Sequence, residues 1–132
     1  MKKFFILFCL IAPGVIPGSL FSQRLTGSWD IVAFQTLRVG EPGYTLSDIG
    51  NITFYKDNSG ESNINYSLMG VEKNEQTPFK WTVSQKFIAI EGQESDFTRT
   101  WIIMENKSSR QKWQATDGKH TIYTLELKKQ KK

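Results

Sequence analysis

The chain is poor in the residues that most chemistry needs. Of its 132 residues, one is cysteine, one is histidine and four are proline. The cysteine, Cys9, falls inside a leader-like start, so the rest has no disulfide, no thiol nucleophile and no cysteine metal site. The histidine, His120, borders a turn beside Asp117 and Lys119, the setting of a solvated residue rather than a general base. No serine stands in a Gly-x-Ser-x-Gly elbow. No pair of carboxylates falls by pattern on one buried face, which leaves glycoside hydrolysis without support. Asp57-Asn58-Ser59-Gly60-Glu61 is rich in oxygen but lacks the length and spacing of a calcium loop, and reads as a β-turn. We therefore expect no enzyme, no metal and no cofactor. An apolar run of ~20 residues, enough to cross a membrane, is also missing, as is any sustained helical period.

What is present begins with an export signal. Lys2 and Lys3 precede an apolar run over residues 4–12, and Pro13, Gly14, Pro17, Gly18 and Ser19 follow. Basic, then apolar, then small is the order such a signal requires. It assigns residues 1–23 to a signal peptide, 24–128 to one domain and 129–132 to a basic tail. Cys9 is no lipid anchor, because bulky Phe8 precedes it where a small residue is needed. The remaining ~110 residues suit one domain and are too few for a doubly wound nucleotide fold or an α/β barrel. Without disulfides, that domain must be held by its core alone. The expected location is the periplasm or the extracellular space, and the expected state is a monomer without a transmembrane segment.

The charge is unevenly placed. The whole chain carries +4. Removing Lys2 and Lys3 leaves +2, and setting aside Lys128, Lys129, Lys131 and Lys132 leaves −2. The basic character thus belongs to a tail, expected to be solvated and frayed. It gives no basic face for nucleic acid.

From Leu25 on, the pattern has period two. Eight short runs are separated by turn residues. They cover 25–36 (Trp29, Ile31 and Ala33 in phase), 49–56 (Ile52, Phe54), 61–68 (Ile64, Tyr66, Leu68) and 78–84 (Phe79, Trp81, Val83). The other four cover 86–91 (Ile88, Ile90), 97–104 (Phe97, Arg99, Trp101, Ile103), 109–116 (Gln111, Trp113, Ala115) and 119–128 (Tyr123, Leu125, Leu127). Residues 39–48 and 69–77 read as loops, and residues 57–60 and 117–118 as tight turns. Eight antiparallel strands joined by short turns predict an all-β, up-and-down barrel, which also removes exposed edges. A two-sheet β-sandwich is the alternative.

The first run opens Leu25-Thr26-Gly27-Ser28-Trp29. A Gly-x-Trp at the start of the first strand resembles the opening of lipocalin-like proteins. Ile52-Thr53-Phe54-Tyr55 before the 57–60 turn, Lys80-Trp81, Phe87-Ile88-Ala89-Ile90 and Leu125-Glu126-Leu127 follow the rhythm of small bacterial lipocalin-like domains. The signal ending Phe21-Ser22-Gln23 resembles those of the Bacteroidetes group. Beside such a signal, the glycosylation-type triplets at Asn51, Asn65 and Asn106 read as chance. The resemblance implies a lipocalin-like barrel and, in classical members, an arginine near the last strand packed across the motif tryptophan. Here that strand offers Lys119 and His120. Independently of the family, Gly27 lets the backbone turn into the strand, and Trp29 plugs one barrel end, its N–H needing an acceptor.

The candidate binding residues are Arg99, Trp101, Trp81, Phe54 and Tyr66. If the phase of Phe97, Arg99 and Trp101 points inward, a guanidinium stands inside or at the mouth of the barrel and needs an anion or several acceptors. It then recognises a ligand carboxylate, or it pairs with an internal carboxylate or stacks on Trp29 or Trp113. If the opposite phase is the interior, Arg99 is merely solvated. The aromatic rings either fill the lumen or line an apolar pocket. Two functions follow from this. One is a carrier or sensor of a small apolar ligand or lipid. The other is a filled barrel that engages an envelope protein through residues 37–48 and 69–77.

Overall fold

The computed structural model describes residues 23–131. The expected signal, apart from Gln23, lies outside the described residues, as do Cys9 and Lys132. Nine strands follow in chain order: β1 (Gly27–Arg38), β2 (Tyr44–Ser47), β3 (Gly50–Phe54), β4 (Ser59–Leu68), β5 (Val71–Val83), β6 (Phe87–Gly92), β7 (Thr100–Asn106), β8 (Arg110–Thr116) and β9 (Thr121–Lys129). Each strand from β3 to β9 pairs antiparallel with the next, and β1 pairs with both β3 and β9. β1 and β3–β9 therefore close an eight-stranded antiparallel barrel, and the sandwich alternative is set aside.

β2 stands outside this ring. β1 gives one edge to β9 from Trp29 to Arg38. Its other edge is shared, with Gly27–Asp30 paired to β3 and Ala33–Thr36 paired to β2. Asp48, at φ 54°, breaks the line between β2 and β3. Residues 44–47, expected within a loop, are thus a strand that follows β1 but not β4.

Alternation packs the interior. Trp29, Ile31, Ile52, Phe54, Ile64, Phe79, Trp81, Ile88, Ile90, Trp101, Trp113, Leu125 and Leu127 are all buried and form one core. Ala33 does not share their phase. The β1–β9 register slips between Ile31 and Ala33, and the inward position passes to Phe34. A bulge of this kind adds one residue and bends the strand. It cannot be seen in a run of uninterrupted alternation.

The connections at one end, here the lower, are residues 55–58, 84–86 and 107–109, beside both ends of the described chain. Asp57 accepts the Ser59 N–H at 2.9 Å and Asn58 takes φ 70°, so the oxygen-rich stretch is a β-turn. The upper end carries residues 39–43, 69–70, 93–99 and 117–120.

At that end β4 and β5 outrun their neighbours. β3 leaves β4 after Ile64, with one further bond from Asn65 N–H to the Ile49 carbonyl at 2.7 Å. β6 meets β5 only from Phe79 on. Residues 66–68 and 71–73 therefore project as a two-stranded arm, paired from Leu68↔Val71 to Tyr66↔Lys73, and residues 74–78 below it keep an open edge on the β6 side. Residues 69–77, expected to be a loop, are mostly strand. Residues 71–76 bury neither face fully, so this side of the arm carries no hydrophobic alternation for the sequence to show. Its turn is only Met69-Gly70, at φ 51° and 78°. The run expected at 97–104 likewise begins later, at Thr100, and leaves Phe97 and Arg99 in the preceding loop. The last strand extends to Lys129, one residue into the expected tail.

Candidate functional site

The lumen is lined by rings that touch one another. Phe54 lies 5.3 Å from Trp81, 5.6 Å from Phe79 and 6.0 Å from Trp113, and Trp101 lies 6.3 Å from Trp113, all by ring centroids. The inward row Phe54, Gly60, Phe79 and Gly92 has glycine beside the phenylalanine. A Cβ on Gly60 would collide with the Phe79 ring. The missing side chain is what lets that ring lie flat against the wall.

Every tryptophan N–H has an acceptor. Trp29 donates to the Leu25 carbonyl at 2.8 Å, Trp81 to Ser59 O at 2.9 Å and Trp101 to Phe97 O at 3.0 Å. Trp113 donates to Gln111 Oε1 at 3.1 Å. The buried Gln111 amide in turn donates to Asn106 Oδ1 at 2.8 Å and to Lys107 O at 2.9 Å. A buried polar group left unpaired costs about 1–3 kcal/mol, and these networks avoid that cost without water.

Of the predicted site residues, Phe54, Trp81 and Trp101 thus meet in the core as packing. Tyr66 stands apart, half-buried at the upper mouth. There a void with about 10 Å³ open to a water's centre lies among Phe34, Leu46, Ile49, Ile64, Tyr66 and Phe97. That is room for about one water. A broader hollow near Tyr55, Pro78 and Lys80, about 710 Å³, lies open to solvent.

Loop 93–99 roofs the mouth. Phe97 is buried against Phe34, with centroids 5.2 Å apart, and Phe34 stacks on Tyr123 at 6.1 Å. The loop is pinned by Thr98 Oγ1 to Gln93 O at 2.7 Å, a Ser95–Thr98 hydroxyl pair at 2.8 Å and Phe97 N–H to Ser95 Oγ at 3.2 Å. Lys73 on β5 reaches Asp96 on the loop at 3.9 Å and Glu75 at 3.8 Å.

Arg99 leaves this loop half-buried, on the inward phase. Its guanidinium carbon lies 3.9 Å from the Tyr123 ring centroid and 5.9 Å from that of Trp101, and its Nε donates to Asp96 O at 2.8 Å. Arg99 therefore stacks on Tyr123 and approaches Trp101, not the expected Trp29 or Trp113. No carboxylate among the described residues pairs with it. Thr36, whose Cα is the register partner of Tyr123, keeps a buried hydroxyl without a partner.

At the opposite end, Gly27 and Trp29 form the expected plug, with an unexpected member. Lys129 Nζ sits 4.7 Å over the Trp29 ring and donates to Thr26 O at 2.6 Å and Arg24 O at 3.3 Å. A Cβ on Gly27, at φ 125°, would lie 2.8 Å from that ammonium. Lys129 is therefore no frayed tail residue. The signal for it was available, because Tyr123, Leu125 and Leu127 share a phase and Lys129 continues it. Among the described residues no group of His, Cys, Asp or Glu could hold a metal ion, and no helix is long and apolar enough to cross a membrane.

No protein-family model matches the chain, and no curated protein matches it. A redesigned β-barrel is similar in structure, with a TM-score of 0.45 and 11% sequence identity, over 83% of this chain and 95% of that one.

Proposed function

We propose that the chain is an exported, non-enzymatic, lipocalin-like barrel with a filled lumen, which engages an envelope protein through its upper end. The observation that carries this reading is the packed stack of Phe54, Phe79, Trp81, Trp101 and Trp113, above which the void under Phe97 at the upper mouth has room for about one water. A carrier needs a pocket of ~300 Å³ or more that encloses most of its ligand, whereas the hollow of about 710 Å³ near Tyr55 and Lys80 lies open to solvent. Lys129 over Trp29 supports the lipocalin-like part, since a last-strand cation there does what the resemblance assigned to arginine.

The upper end supports the interaction part. Leu68, Met69 and Val71, at 48%, 95% and 68% exposure, crown the arm. At the same end Val39 on the β1–β2 connection and Tyr44 at the start of β2 are exposed. Clustered apolar side chains held out in water mark contact surfaces. The test is a photo-crosslinking residue at Met69, with one at Lys86 of the lower end as control, in cells of the source organism. A discrete product with one envelope protein from the Met69 position alone is expected. Equal products from both positions, or none, would sink the reading.

A second reading, a carrier of a small apolar acid, draws support from Arg99. Among the described residues its guanidinium has no carboxylate partner, and it stands where a ligand headgroup would enter. Phe97 would have to leave its seat for the ligand's tail. Native mass spectrometry of the protein purified from its host checks this. A retained lipid that is lost in Arg99→Ala favours the carrier, and a bare mass favours the filled module.

A further inference from the structure

We infer that the free edge of β4 at the upper end receives an extended, basic polypeptide segment as an added strand. The inference rests on the interaction reading above and names how the partner is held.

An exposed sheet edge presents unpaired N–H and C=O groups, and proteins guard such edges with charge or proline. The two edges of the arm are treated differently. The β5 edge carries Glu72, Lys73 and Glu75, ends at Pro78 and is crossed by the Lys73–Asp96 ion pair. The β4 edge carries Asn65, Tyr66, Ser67 and Leu68, with neither charge nor proline. β2, across the gap, reads Tyr44, Thr45, Leu46 and Ser47 and is equally unguarded. β2 pairs only with β1, so it leaves the β4 edge uncovered.

Backbone direction identifies the receiving groups. Asn65 N–H points to Ile49 O, toward the β3 side. Amides alternate along a strand, so the next one on that edge is Ser67, with no strand opposite it. The tip adds a second sign. Met69 occupies the left-handed region, which hairpin turns usually give to Asn, Asp or Gly. A long apolar side chain, 95% exposed, is thus held in a conformation that disfavours it.

The rim sets the chemistry of the incoming strand. Carboxylates outnumber cations around this end: Glu41, Asp48, Glu72, Glu75, Glu94, Asp96 and Asp117 stand against Arg38, Lys73, Arg99 and Lys119, and Arg38 and Lys73 already face carboxylates. A basic strand is therefore favoured. Its alternate side chains would lie beside Tyr66 and Leu68, which share one face of β4, and this calls for apolar residues at every second position.

The experiment is amide hydrogen exchange on the whole mature protein, with a short capped peptide of alternating valine and lysine as probe. About tenfold slower exchange at Ser67 is expected. A valine–glutamate peptide should slow it less, and Ser67→Pro, checked for retained fold by circular dichroism, should remove the binding. No slowing at Ser67 in the unchanged protein overturns strand addition. Slowing that depends on protein concentration without peptide assigns the edge to a second copy and overturns the basic partner. If the Met69 crosslink survives while Ser67 stays unprotected, the interaction module stands and strand addition falls.

Discussion

Single residues set both ends of the barrel. At the lower end Lys129 joins a cation–π contact to two backbone acceptors, with its ammonium in the space a side chain on Gly27 would crowd. Such contacts contribute about 1–2 kcal/mol together. Lys129→Met should lower the free energy of urea unfolding by about that amount, and Lys129→Arg should restore most of it. At the upper end Asp117 gathers the N–H groups of Lys119, His120 and Thr121 onto one oxygen, at 2.8, 3.1 and 3.1 Å. These bonds favour the ionised form and hold its pKa at about 2, below the ordinary 3.8. A lowered pKa stabilises the fold in full above the unfolded value, and the contribution disappears as pH falls through the folded one. Denaturation midpoints of the native protein and Asp117→Ala should therefore differ above about pH 4 and converge toward pH 2. The Asp-Gly turn was legible from residue type alone. The role of Lys129 followed from strand phase, yet four lysines at a terminus conceal it, because composition there reads as a solvated tail.

Among the elements, the outcome depended on burial. Strands that cover the core write their period into the sequence, and Phe79-Trp81-Val83 and Gln111-Trp113-Ala115 lie inward as the alternation predicts. Residues 71–76 cover no core, so the same period is absent there and backbone pairing alone defines this side of the arm. The β1 bulge shifts the inward phase without any residue that marks it. Loop 93–99 is the element that separates the two functional readings. Its phenylalanine occupies the last apolar seat of the lumen, and the hydroxyls of Ser95 and Thr98 hold it there. Phe97→Ala should cost about 3 kcal/mol and open the mouth. Binding of an apolar dye by this variant, with little by the native protein, is the expected fluorescence result. Equal dye binding by both would show that the loop does not close the lumen.

For the whole molecule, the architecture was readable and the site was not. Eight runs at even spacing specify a barrel, but nothing in a one-dimensional pattern says whether inward rings meet or stand apart. Phe54, Trp81 and Trp101 fit a pocket lining and a packed core equally well until their separations are known. The sequence leaves the phase of Arg99 open, and the structure sets this residue half-buried in the loop before β7. Its partner, Tyr123, lies on a strand distant in sequence and adjacent only through the tertiary fold.

The seam between β1 and β9 also sets an order of events. The first barrel strand has no permanent neighbour on one side until the last strand arrives, with Trp29 opposite Lys129 and Arg38 opposite Thr121. Contacts between sequence-distant segments form slowly, because the loop between them must close first. A chain threaded through a membrane from its N-terminus would therefore wait, open and adhesive, until residues 121–129 emerge. Removing those residues should leave no cooperative unfolding transition in urea, rather than a barrel one strand short. Supplying them as a separate peptide should restore the transition. The ring would then be completed by a strand that need not belong to the same covalent chain.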